Sequence, residues 1–309
     1  MASPFDLDKH SAYARWRDAK RAQHPRCAEE LIVEVKDPRA LSASELSALL
    51  QRCASANMAI YRSPITLEDK DLARQLAQQL GLRQLDANWL ADEDGISQIA
   101  VAPNAGQQAA FIPYTNRPIK WHTDGYYHPP TRPIRAMILH CVRAAPSGGE
   151  SALMDPEMAY IALREADPAW VRALMADDAM TIPERLDDDG VARAAQSGPV
   201  FSVDAASGAL HMRYTARTRS IVWKDDAATH AAVGFLSELL ASAPACLFRL
   251  KLQPGMGLVC NNVLHDRAGF VDDPQQPRLL HRARYLERIS AVADVLDSHP
   301  GVRQAAPSS

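Results

Sequence analysis

Apolar residues recur at helical spacing early in the chain and in short runs bounded by Pro, Gly and Asn from about residue 96 onward. Leu46, Leu49, Leu50 and Cys53 form a stripe behind Ser42-Ala43-Ser44-Glu45, a pattern that suits a capping box and predicts a helix starting at Ser42. Met58-Ala59-Ile60-Tyr61 then reads as a strand. A second helix is predicted from Thr66 to Leu80, with Leu72, Leu76 and Leu80 on one face and Gly81 as its stop signal. Both helices are expected to pack outside a sheet. Residues 1–40 are polar and mixed in charge, so a partly ordered arm is expected ahead of a single domain over 41–295, with 296–309 as a tail.

The later runs, Ile99-Ala100-Val101, Ala136 to Val142, Gly257 to Cys260 and Leu279 to Leu286, are short strands separated by turn signals. Such a series predicts an α+β chain with a jelly-roll or sandwich core and flanking helices, not a doubly wound parallel sheet. Asp155-Pro156-Glu157 opens one helix among them, with Asp at the cap and Pro at the first position, expected to run to about Met175. The non-strand insert over 155–200 reads equally as a lid or as a structural excursion. Within it, Glu184 to Gly190 has no apolar period and reads as a solvated surface loop, its three aspartates included.

Composition narrows the function classes. A formal net charge of -3 on 309 residues gives no electrostatic reason for a nucleic-acid or anionic-membrane partner. No apolar run is long enough to span a bilayer, and no basic stretch followed by an apolar run opens the sequence. The five scattered cysteines lack a Cys-x-x-Cys pair, which argues against a disulfide framework or a thiolate zinc site and for reduced thiols in the cytoplasm.

Chemistry concentrates in Lys120-Trp121-His122-Thr123-Asp124-Gly125 and in His265 far downstream. On a strand, residues two apart share a face, so His122 and Asp124 could offer an imidazole and a carboxylate to one ion. Two histidines and a carboxylate suit non-haem Fe(II). His-x-Asp alone is a weak signal, since such pairs arise by chance. Arg278 follows His265 with twelve residues between, and Ser151 follows the turn Ser147-Gly148-Gly149-Glu150. A buried guanidinium needs an anion, and a hydroxyl could share a carboxylate with it.

At these residues the chain resembles the TauD/TfdA family of Fe(II)- and 2-oxoglutarate-dependent dioxygenases, through Trp-His-Thr-Asp-Gly, Gly-Gly-Glu-Ser and His-Asp-Arg-Ala-Gly-Phe, over roughly residues 40 to 290. The resemblance implies a double-stranded β-helix core and an Fe(II) site of His122, Asp124 and His265. It also implies 2-oxoglutarate held through its C5 carboxylate by Arg278 with Ser151, and O2 as second cosubstrate. The implied reaction hydroxylates an unactivated C–H bond of a small, polar, charged substrate and releases succinate and CO2. A carboxylate at Asp124 disfavours halogenation, whose enzymes leave that place to a halide.

The same resemblance places Arg282 where taurine-type members grip an anionic head, with a structural ion pair as the equal alternative. The His and Tyr of those members fall here on Asp86 and Trp89, which makes taurine itself doubtful. Asp86 with Arg282 would suit a substrate bearing an amine and an acid, unless the two pair with each other. Tyr126, Tyr127 and His128 either line the mouth or pack at the rim. Arg217 and Arg219 are further candidates near the opening, while His140 and His281 are expected to be packed. A non-catalytic metal-binding jelly roll and a zinc hydrolase on the same three ligands are the competing readings. Family resemblance suggests a dimer or tetramer.

Overall fold

Strands rich in β-branched and aliphatic residues build two facing sheets in the computed structural model, which describes residues 3–86, 94–102, 111–187, 190–217 and 221–290. Helix α1 (His10–Gln23) comes first, followed by β1 (Ile32–Glu34), α2 (Ala43–Ala56), β2 (Met58–Arg62), α3 (Leu72–Gln79) and β3 (Ser97–Ile99). Next are β4 (Ile119–His122), β5 (Ala136–Arg143), β6 (Ser147–Gly148), β7 (Ser151–Met154), α4 (Pro156–Ala166) and α5 (Pro168–Leu174). Short strands β8 (Met180–Ile182), β9 (Arg185–Asp187), β10 (Gly190–Arg193), β11 (Gln196–Gly198), β12 (Phe201–Val203), β13 (Leu210–Met212) and β14 (Val222–Trp223) then lead to α6 (Ala227–Ala241). The chain closes with β15 (Leu247–Leu250), β16 (Met256–Cys260), β17 (Leu264–Arg267), β18 (Phe270–Val271) and β19 (Leu279–Tyr285).

The large sheet has the order β1-β2-β16-β5-β19-β3, and the small one β15-β7-β17-β4. Met58, Ile60, Met137 and Leu258 of the large sheet meet Leu153 and Phe248 of the small one in a buried cluster between them. The outer face of the large sheet is covered by α2 and α3 through Leu46, Leu49, Leu50, Cys53, Leu76 and Leu80. Helices α4, α5 and α6 bury Tyr160, Val171 and Leu236 with Met154 and Leu264 of the small sheet. The jelly-roll core with flanking helices is thus a double-stranded β-helix. Among the described residues no helix is long and apolar enough to cross a membrane.

Several expectations need correction. The expected partly ordered arm is, over the described residues 3–40, docked on the body: β1 joins the large sheet in parallel register with β2, and Phe5, Tyr13, Leu31 and Val33 are buried. Lys20 of α1 is buried as well and lies 2.6 Å from the Asp155 carboxylate, an anchor that composition cannot reveal. The helix expected from Thr66 begins at Leu72, because Leu72, Leu76 and Ala73 are the first residues with a sheet to pack against. The helix opened by Pro156 breaks at Asp167-Pro168, where Asp167 caps a second one by accepting from the Ala169 N–H at 2.8 Å. Finally, the 155–200 insert is not free of strands. Its presumed loop is the β9–β10 hairpin, with Asp188 and Asp189 outside the described residues.

Candidate metal and cosubstrate site

His122 and His265 are direct cross-strand partners of β4 and β17, so the pleat turns both imidazoles to the same face. Their ring centroids lie 4.1 Å apart. Each ring has its Nδ1 3.0 Å from a main-chain carbonyl two residues earlier, Lys120 for His122 and Val263 for His265. Nδ1 therefore donates, and the lone pair of each Nε2 is free for a metal.

Asp124 reaches the pair by a different route from the one expected. The strand ends at His122, and Asp124 stands in the turn that follows, at Gly125 with φ +68°. A Cβ on Gly125 would come within 2.4 Å of Ile134 Cγ1, so the turn needs glycine. Buried Asn262 sets the position of Asp124. It accepts from the Asp124 N–H at 2.7 Å and donates to the carbonyls of Asp124 (2.9 Å) and Ile134 (2.7 Å). The sequence offered Asn261-Asn262 only as a turn; the left-handed φ of Asn262 aims its amide at a segment more than a hundred residues away.

Ligand atoms of His122, Asp124 and His265 all lie within 4.8 Å of one another. Burial and the neighbouring His265 push the His122 imidazole down to about 3, so it is neutral. Burial opposes charge on Asp124 too, but Arg282 and Arg284 outweigh it and hold the carboxyl below the usual range. Asp124 Oδ2 is buried without a hydrogen-bond partner. Two freed imidazole nitrogens and an ionised, orphaned carboxylate oxygen fit a divalent transition metal.

Ser151, at the start of β7, and Arg278, just before β19, line one cleft with Gly148, Gly149, Lys251 and Leu252. The left-handed turn at Gly148 is held against β18, where a Cβ would meet the Gly269 carbonyl at 2.3 Å. Arg278 is buried, lies over Phe270 at 5.0 Å, and has no carboxylate within ion-pair distance among the described residues. Lys251 was missed. It follows Leu250, the register partner of Ser151, and only that pairing brings its amine to the cleft.

The substrate-side candidates divide. Arg282 lies 3.4 Å from Asp124 Oδ1, and its buried Nε has no partner. Asp86 does not pair with Arg282. Its buried carboxylate lies 2.7 Å from Arg284 and 3.0 Å from Arg132. Arg284 also donates to the Tyr127 hydroxyl at 2.9 Å. Trp89 and Arg219 lie outside the described residues. Tyr126 presents its ring edge-on to His122, centroids 6.4 Å apart, and its hydroxyl accepts from Arg217 at 3.3 Å. His140 is packed, bonded to the Tyr61 hydroxyl at 2.8 Å, and His281 is its cross-strand neighbour.

The model of the taurine catabolism dioxygenase TauD, TfdA family matches residues 20–284. A uridine-5'-phosphate dioxygenase from Amycolatopsis sp is 34% identical over 172 residues, 54% of this chain and 60% of that protein. A second, from Streptomyces sp, is 32% identical over 201 residues, covering 62% and 70%. The chain thus spans about three fifths of the first relative and somewhat more of the second. Among solved structures, AAD-2 in complex with Mn(II) and N-oxalylglycine shares the fold at TM-score 0.59 and 15% identity, over 86% of this chain and 99% of its own. With the family model covering most of its length and its ligand-type residues gathered in one site, the chain belongs to the TauD/TfdA dioxygenase family.

Proposed function

We propose that the protein is an Fe(II)- and 2-oxoglutarate-dependent dioxygenase that hydroxylates an unactivated C–H bond of a small anionic substrate of the nucleoside 5'-phosphate class. The observation that carries the reading is the buried, unpartnered Oδ2 of Asp124 beside two imidazoles with freed Nε2 atoms. His122, Asp124 and His265 would hold the iron. Arg278, Ser151 and Lys251 would hold the distal carboxylate of 2-oxoglutarate, a forked cation and an ammonium against one anion. Bound there, iron with 2-oxoglutarate and O2 supplies the oxidant: substrate C–H becomes C–OH, while 2-oxoglutarate gives succinate and CO2.

The residues around the ion orient and exclude. Asn262 fixes Asp124, Arg282 keeps it ionised, and Tyr126 walls the open side. The nucleotide class rests on the two uridine-5'-phosphate dioxygenases and on the cationic surroundings of Tyr126. A zinc hydrolase or a non-catalytic remnant would leave the unpaired Arg278 without use. All five cysteines are free, which supports a reducing compartment such as the cytoplasm, and family membership supports a homo-oligomer.

Anaerobic addition of Fe(II) and 2-oxoglutarate tests the reading. A visible metal-to-ligand absorption band should appear, and succinate should form on admitting oxygen. A colourless protein that yields no succinate refutes it.

A further inference from the structure

A second cavity, of about 170 Å³, shares none of its lining residues with the cosubstrate cleft. Its floor is the metal turn, where Thr123, Asp124 and Gly125 are buried beside Arg213. Half-buried Pro133 and Pro199 stand higher, and exposed Pro129, Pro130 and Asp177 form the rim. The cavity is therefore a funnel from the surface to Asp124, with Tyr126 along it. Of the three metal donors only Asp124 lines it, so an occupant meets the carboxylate without covering the two imidazoles.

The polar side of the funnel comes from β12 and β13. Ser202 and His211 are direct cross-strand partners, so their side chains share one face of that pair. Phe201, Leu210 and Met212 beside them are buried in the core under the helices, which turns Ser202 and His211 the other way, to the cavity. Neither side chain has a hydrogen-bond partner among the described residues. Burial and the charges of Arg135, Arg288 and Arg213 push the His211 imidazole down to about 3, so it is neutral and offers one N–H and one lone pair. Arg213 itself donates to four main-chain carbonyls, those of Tyr126, Met180, Gly198 and Gln196, at 2.8 to 3.4 Å. Arg135 is paired with Asp204 at 2.6 Å. What these cations add to the cavity is positive potential, which suits carbonyl oxygens and repels an ammonium group.

Size and chemistry together narrow the occupant. A cavity of about 150 Å³ takes up a benzene ring, so this one has room for a single six-membered ring, and a fused purine would overfill it. Proline walls and the Tyr126 ring suit the flat faces of such a ring, while a hydroxyl and a neutral imidazole suit an edge that carries carbonyls and an N–H. We propose that this cavity seats the base of the substrate, a pyrimidine bearing ring carbonyls, with Ser202 and His211 hydrogen-bonding its edge. The inference rests on the nucleoside 5'-phosphate reading above. It makes β12 and β13 the elements that select the base, and because the floor is the Asp124 turn, the sugar attached to that base stays next to a metal donor.

The test measures binding of uridine 5'-phosphate, adenosine 5'-phosphate, ribose 5-phosphate and uracil to the Fe(II)–2-oxoglutarate protein without oxygen, by calorimetry and by the change in the visible band. Wild type, H211A, S202V and S202T are compared. Uridine 5'-phosphate should bind the wild type at least about tenfold more tightly than adenosine 5'-phosphate or ribose 5-phosphate. H211A and S202V should each weaken it by about five- to thirtyfold and leave ribose 5-phosphate within about twofold, with S202T close to the wild type because it keeps the hydroxyl. Equal affinity for the two nucleotides, losses that fall on ribose 5-phosphate alike, or unchanged affinity for uridine 5'-phosphate in both variants overturn the base seat. Failure to develop the band overturns the dioxygenase reading instead. Binding of uracil that depends on His211, with no binding of any of the three phosphates, keeps the base seat and removes the 5'-phosphate class.

Discussion

Arg278 and Arg284 flank and occupy the same strand and are almost equally buried, 7% and 3% exposed, yet their surroundings are opposite. Arg284 is enclosed by the Asp86 carboxylate and the Tyr127 hydroxyl, and the nearby negative charges hold it protonated against the cost of burial. Arg278 faces a cleft with a serine, a lysine and two glycines, and burial alone lowers its proton affinity. A buried guanidinium without an acid is a standing cost to the fold. Where the chain tolerates that cost it marks a place for an anionic ligand, and where a carboxylate offsets it the arginine is architecture.

The largest expected effect breaks the architectural half. Asp86→Ala leaves Arg284 buried and unpaired and should lower unfolding stability by about 3–5 kcal/mol, measured by chemical denaturation. Arg278→Ala should do the reverse, leaving stability nearly unchanged or improved while weakening 2-oxoglutarate by about a hundredfold in anaerobic titration. If both substitutions destabilise alike, the distinction between the two arginines is wrong.

A buried neutral group in the same sheet separates burial from charge. Burial, and then His281, push His140 down to about 4, below the ordinary histidine value near 6.5. Its contribution is fully present above pH 6.5 and lost as pH falls toward 4, because only the unfolded chain takes up the proton there. The loss should approach roughly 3 kcal/mol in a pH series of denaturation midpoints, and His140→Gln should flatten that slope. The smallest effect concerns Lys251. Lys251→Ala should raise the 2-oxoglutarate KM by about tenfold with little change in kcat, and an unchanged KM would remove Lys251 from the cleft's function.

What could be read from the sequence followed from local pattern. Ser42 and Glu45 cap α2 as expected, because a capping box depends on four adjacent residues. His122, Asp124 and His265 were legible through motif spacing, although Asp124 stands in a turn and not on the strand. The pairing of Asp86 with Arg284 was not legible, because the two meet only in the fold, nearly two hundred residues apart in the chain. Lys251 and Asn262 were invisible for the same reason: β15 beside β7, and the turn after β16, create their roles. The docking of residues 1–40 was missed because Lys20 counts as polar in any pattern, while in the fold it is buried against Asp155.

The four-carbonyl grip of Arg213 ties β8 and β11 to the peptide of Tyr126, next to the metal turn. Strands β8 and β11 are therefore held to the same turn that carries Asp124, and a shift of either strand is passed to that turn through one side chain. A change at Arg213 would thus be felt by His122, Asp124 and His265 although its own guanidinium touches none of their side chains.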